Sequence, residues 1–183
     1  MHDAIASKPF LNIEKLKTGD AESFQRLHQL FYKDLVKKAI SLLDEKEEAT
    51  ALVNHSFIKC WLRSEALTSM DYVSAFLFTT VRNQCTAFNQ GDRFDFSQCS
   101  RVLKAILSDA ARNGLTRKEL FSRLNTLQAT ELSNARAIFR QYYDRRLEVT
   151  HTAKETGQES KNAGIELNTA FQVLHLILSV ENI

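Results

Sequence analysis

The side chains of this chain best suited to specific chemistry are suited to recognition rather than catalysis. Arg82 and Asn83 are an adjacent polar pair. Asn54 and His55 are a second pair, grouped with Glu48, Thr50 and Lys59 and available to solvent or to a partner surface. No nucleophile stands with a base, no glycine loop would cradle a phosphate, and no paired carboxylates mark a pocket, so the chain reads as a non-enzyme. Cys60, Cys85 and Cys99 are odd in number and scattered, which suits reduced thiols rather than a disulfide framework. His28, His55, His151 and His175 have no spacing that would bind a metal with them, so neither metal nor cofactor is expected.

The elements that must position these residues are helices. From Asp44 to Arg63, Ala49, Leu52, Val53, Phe57, Cys60 and Trp61 recur at spacings of three and four, one apolar stripe of an amphipathic helix. Asp44 is expected to cap its first turn, and Glu45, Glu47 and Glu48 sit at the positive end of its dipole. Its other face, with Asn54 and His55, is expected to be wet. Before it, Asp20 should cap a helix running to about Leu43 with Phe24, Leu27, Phe31 and Leu35 inside, and Lys33, Lys37 and Lys38 on its polar side. A polar loop, Ser64 to Asp71, leads into a helix from about Tyr72 to Phe88, with Tyr72, Ala75, Phe76, Thr79 and Val81 as its expected buried positions. Asn89-Gln90-Gly91 should end it.

Gly91 to Gln98 reads as a linker, and Cys99 to Asn113 as helical. Thr116 to Glu119 has the form of a capping box and opens a short helix with Leu120, Phe121 and Leu124. From about Ala129 a second helical cluster holds Ala135, Ile138, Phe139 and Tyr142, then Val149 and Ala153, then Ile165, Leu167 and Phe171 to Leu178. Nothing alternates at period two. The chain is expected to be all-α: two helical domains, 1–90 and 129–183, joined by a linker with short helices over 91–128.

Composition agrees with this outline and adds little about partners. One proline and five glycines favour long helices, and no run of about 18 apolar residues offers a membrane span. The N-terminus has no basic segment followed by an apolar core, so a cytoplasmic protein is expected. A net charge of +2 conceals a basic middle: residues 91–147 carry eleven lysines and arginines against six acids, whereas 1–90 balance.

Taken together, GDAESFQRLHQLFYKDLVKKAI, EEATALVNHSFIKCWLR and AFLFTTVRNQ resemble region 2 of an extracytoplasmic function sigma factor of bacterial RNA polymerase. ARAIF and THTAKETGQESKNAGIEL are similar, more weakly, to the region 4 helix-turn-helix of the same family, with Ala153 and Gly157 at the spacing of its close-packed alanine and turn glycine. The resemblance implies a chain that binds core polymerase and directs promoter recognition and melting. It implies that Leu52, Asn54, His55, Phe57 and Trp61 belong to the helix that grips the polymerase β′ subunit. It implies a DNA-facing set of Arg63, Tyr72, Arg82 and Asn83 in region 2, and of Arg145, Arg146, Ser160, Lys161 and Asn162 in region 4.

The same resemblance implies a monomer that partners core polymerase, promoter DNA and an anti-sigma factor. The chain departs from the family on both polar surfaces: Thr50 and Ala51 stand where acids are usual, and Asn54 and His55 where Gln and Glu are usual. Its expected reading helix in region 4 carries one lysine and no arginine, so Arg136, Arg140, Arg145 and Arg146 would have to supply phosphate contacts. The alternative is therefore a sigma-like helical protein-interaction module that has lost promoter DNA recognition.

Overall fold

The computed structural model describes residues 11–92, 101, 116–148 and 161–178, without the side chains of 117, 145–148 and 161–163. A five-residue helix opens it, α1 (Ile13–Lys17), with Leu16 fully buried. The chain turns at Gly19, whose φ of +78° lies in the left-handed region that a Cβ disfavours. Asp20 then caps α2 (Ala21–Leu43) as expected, its carboxylate accepting from Ser23 N at 2.9 Å. One stripe of this helix, including Phe24, Leu27, Leu35, Ala39 and Leu43, is buried.

Asp44 has a different task from the one expected. It ends α2 in the left-handed conformation (φ 57°), its amide donating to Ile40 O at 3.0 Å. An N-cap needs extended backbone, so Asp44 cannot also start the next helix. Glu45 takes that position with no side-chain cap, and α3 (Lys46–Leu62) begins at once. A single 3-10 turn, Ser64–Ala66, and the buried Leu67 lead to Ser69, whose hydroxyl caps α4 (Met70–Asn89).

The buried stripe of α4 is Val73, Leu77, Val81, Cys85 and Phe88. The expected set was rotated from this: Val81 is buried, but Tyr72, Ala75 and Thr79 are exposed and Phe76 is half-buried. The aliphatic residues four apart, starting with Val73 in the first turn, take the core against α2 and α3. Gly91, at φ +95°, follows the last turn. Residues 93–100 and 102–115, which hold most of the expected linker and the helix expected over Cys99 to Asn113, lie outside the described residues.

Three further helices are found among the described residues. The capping box at Thr116 is formed, with Thr116 Oγ1 accepting from Glu119 N and the Glu119 carboxylate accepting from Thr116 N at 2.9 Å, and it starts α5 (Arg117–Leu124). Next come α6 (Ala129–Glu148) and α7 (Lys161–Leu178), which pack on each other. Seven α-helices and no strand are found among the described residues, so the chain is all-α.

The division into two helical clusters does not produce two separate cores. α7 packs against α2, and α6 against α3, so that Phe139, Tyr143, Phe171 and Leu174 join Phe24, Leu27, Phe57 and Trp61 in one contiguous hydrophobic cluster. Each fully buried side chain of this size stabilises by about 1.5–3 kcal/mol. Ile165, expected inside, is 67% exposed.

Candidate nucleic-acid and protein interfaces

The expected polymerase-gripping set lies on α3, and α3 is covered on nearly every side. Leu52, Phe57 and Trp61 are core residues, the last two with no exposed surface. The face expected to be wet is not: His55 is buried, and Glu48, Thr50, Asn54 and Lys59 are each half-covered. Asn54 is drawn inward, its Oδ1 accepting from His28 Nε2 on α2 at 3.2 Å. His55 Nδ1 hydrogen-bonds the hydroxyl of Tyr143 on α6, and their rings stack at 5.5 Å between centroids. The cover thus comes from the second helical cluster, which the local sequence around His55 cannot reveal.

Both imidazoles are neutral at ordinary pH. Burial pushes His28 down to about 4, against the upward pull of its hydrogen bond to Asn54. His55 is pushed to about 3, first by burial and then by the nearby Lys59 cation. Burial also pushes the Cys60 thiol up to about 12, so it packs as a small apolar group.

The join between α6 and the first bundle includes a polar cluster that no local sequence pattern signals. Arg136, one of the four arginines that would have to compensate for the weakly basic reading helix, is 5% exposed. Its Nη2 meets Glu65 Oε1 at 2.8 Å, and its Nη1 donates to Ser64 Oγ and to the Lys17 carbonyl, the latter at 3.3 Å. Arg140, another of the four, donates from Nη2 to the Leu62 carbonyl, and Ser133 Oγ donates to Glu65 Oε1 at 3.2 Å. Lys17 and Leu62 are the last residues of α1 and α3, where carbonyls lack intrahelical partners and attract cations, and the Lys17 carbonyl also accepts from Ser64 Oγ at 3.3 Å. Below them Trp61 Nε1 donates to Gly19 O at 3.0 Å, and Phe139 meets the Trp61 ring edge-on.

The expected region 2 DNA set fares differently. Arg63, at the end of α3, is exposed, as are Tyr72, Arg82 and Asn83 on α4. At 100° per residue, Tyr72, Thr79, Asn83 and Thr86 fall within about 60° of each other, and Arg82 lies on the edge of the same stripe. That stripe points directly away from Val73, Leu77, Val81 and Cys85, which are buried. Tyr72 is 44% exposed and stacks on Phe76, and Phe78, 37% exposed, stands edge-on to Phe31 of α2. Tyr72, expected among the buried positions of α4, is therefore on its outer surface.

Ser160 lies outside the described residues, as do Ala153 and Gly157 of the expected helix-turn-helix. Arg145 and Arg146 fall on α6, and Lys161 and Asn162 on α7, but their side chains are outside the described set. Among the described residues no group of histidine, cysteine and carboxylate side chains could hold a metal ion, and no helix is long and apolar enough to cross a membrane. Compared with known proteins, the chain matches no family model, no curated protein and no solved structure.

Proposed function

We propose that this chain is a sigma factor of the extracytoplasmic function type, working in the cytoplasm as a monomer that joins core RNA polymerase and opens promoter DNA. The observation that carries the reading is the outer stripe of α4. An exposed tyrosine ring can stack on an unstacked base, an asparagine can pair with a base edge, and an arginine can hold the backbone. Tyr72, Asn83 and Arg82 offer those three functions on one surface, about 16 Å long by helical rise, which spans a few nucleotides. The α3 helix supplies the polymerase contact and catalyses nothing, and an anti-sigma protein would compete for the same surfaces.

The test is to incubate the purified chain with bacterial core polymerase, recover the complex through the β′ subunit, and sequence genomic DNA fragments retained by it. Retention of the chain and enrichment of fragments sharing one short motif are expected. Arg82→Ala and Asn83→Ala should keep polymerase retention and lose fragment enrichment by about tenfold or more, because each good base or phosphate contact contributes about 1–3 kcal/mol. Failure of the folded chain to associate with core polymerase would defeat this reading.

A second reading has one observation in its favour. The burial of His55 beneath Tyr143 suits a sigma-like interaction module that has lost promoter recognition, because the surface meant for polymerase is taken up internally. Polymerase retention with no DNA motif, and no response to Arg82→Ala or Asn83→Ala, would select it.

A further inference from the structure

We propose that α6 is an internal cover for the outer face of α3, fastened by Arg136, and that taking up core polymerase requires this cover to lift. The proposal rests on the polymerase role given to α3 above. Its basis is the way the join between α6 and the first bundle is built. At the centre are two aromatic contacts, Tyr143 on His55 and Phe139 on Trp61. At one end is the seat of Arg136, formed by the Lys17 carbonyl, Ser64 Oγ and the Glu65 carboxylate, with Arg140 on the Leu62 carbonyl beside it.

The seat is shaped for that guanidinium. A methyl group built on Gly19 would overlap Arg136 Nη1 and lie 3.2 Å from Trp61 Nε1, so the guanidinium would have to move from its present seat to admit it. Gly19 also needs its positive φ, so its missing side chain serves the turn and the seat together.

The fastening is nevertheless one that can release. Arg136 is 5% exposed, so closing strips a cation of most of its water, while its counter-charge, Glu65, keeps 70% of its side chain in solvent. An ion pair with one wet partner returns little of the desolvation cost. The remaining partners of Arg136 and Arg140 are carbonyl and hydroxyl oxygens, which water can satisfy equally well when α6 lifts. The bundle beneath does not depend on the cover for its own helix contacts, since α2, α3 and α4 pack on one another directly. Lifting α6 therefore exposes His55, Trp61 and the adjoining half-covered Asn54 and Lys59 on a bundle that remains assembled.

Trp61, the chain's one tryptophan, reports this event, because it is fully buried with Phe139 against its ring. In Arg136→Ala the full chain should keep its far-UV circular dichroism while acrylamide quenching of Trp61 rises several-fold. Core polymerase should then be captured at about tenfold lower concentration, since apparent affinity follows the open fraction. Should Arg136→Ala lose its fold, Glu65→Gln alters only a surface carboxylate and should move both readouts the same way by a smaller factor. A folded variant whose Trp61 stays as shielded as in the wild type would overturn the proposal. So would equal capture of polymerase by wild type and by an opened variant, which leaves the sigma reading standing. Capture by neither chain would defeat the sigma reading itself, and the cover with it.

Discussion

The two buried histidines make the stability of this chain sensitive to acid. His28 and His55 have folded values of about 4 and about 3, both below the ordinary 6.5 of an unfolded chain. The unfolded state therefore binds more protons between those limits. The stability that the neutral rings permit is fully present above pH 6.5 and is lost as pH falls toward the folded values. Each pH unit in that window costs about 1.4 kcal/mol per histidine, so urea unfolding at pH 5 should show a stability lower than at pH 7.5 by a few kcal/mol. His55→Gln should flatten part of that slope. A stability independent of pH across this range would show that the rings are not held as described. His55 was legible as a polar residue on a helix, but its burial was not, because the residue that covers it is 88 positions away. Arg136 escaped for a related reason: arginine is rarely buried, and only the distant Lys17 carbonyl, Ser64 Oγ and Glu65 carboxylate make its position tolerable.

At the scale of the element, what could be read from the sequence was whatever the sequence settles locally. The Thr116 capping box involves residues three apart and is formed as expected. Thr116→Ala should cost about 1 kcal/mol, felt first as faster amide exchange in α5. Unchanged exchange there would mean the box adds nothing. The apolar stripe of α3 was equally legible, because its spacing of three and four is local, and Leu52, Val53, Phe57 and Trp61 are all buried. The rotation of α4 was not. Its sequence supports two stripes, and only contact with α2 and α3 chooses the aliphatic one, leaving Tyr72 outside. The junction between α2 and α3 was misassigned for a geometric reason, since two helices separated by Asp44 and Glu45 leave one residue for each end.

At the scale of the whole molecule, one core implies one unfolding event. Helices from both clusters share buried side chains, so Trp61 fluorescence and far-UV circular dichroism should report the same thermal midpoint. Two separated transitions would indicate that α5 to α7 unfold independently, which the shared core around Phe139 and Trp61 argues against. The candidate DNA surface and the cover lie on different helices, α4 and α6, so substitutions at Arg82 and at Arg136 should act additively on stability.

The Arg136 fastening joins residues up to 119 positions apart, to the Lys17 carbonyl. During synthesis, α1 to α4 are complete well before α6 exists. At roughly 5–20 residues per second, the 88 positions from His55 to Tyr143 correspond to a delay on the order of several seconds. Through that interval α6, which covers His55 of α3, has not yet been made. A newly made chain thus passes through the uncovered form before reaching the covered one, so whatever binds that face has its first opportunity at the ribosome.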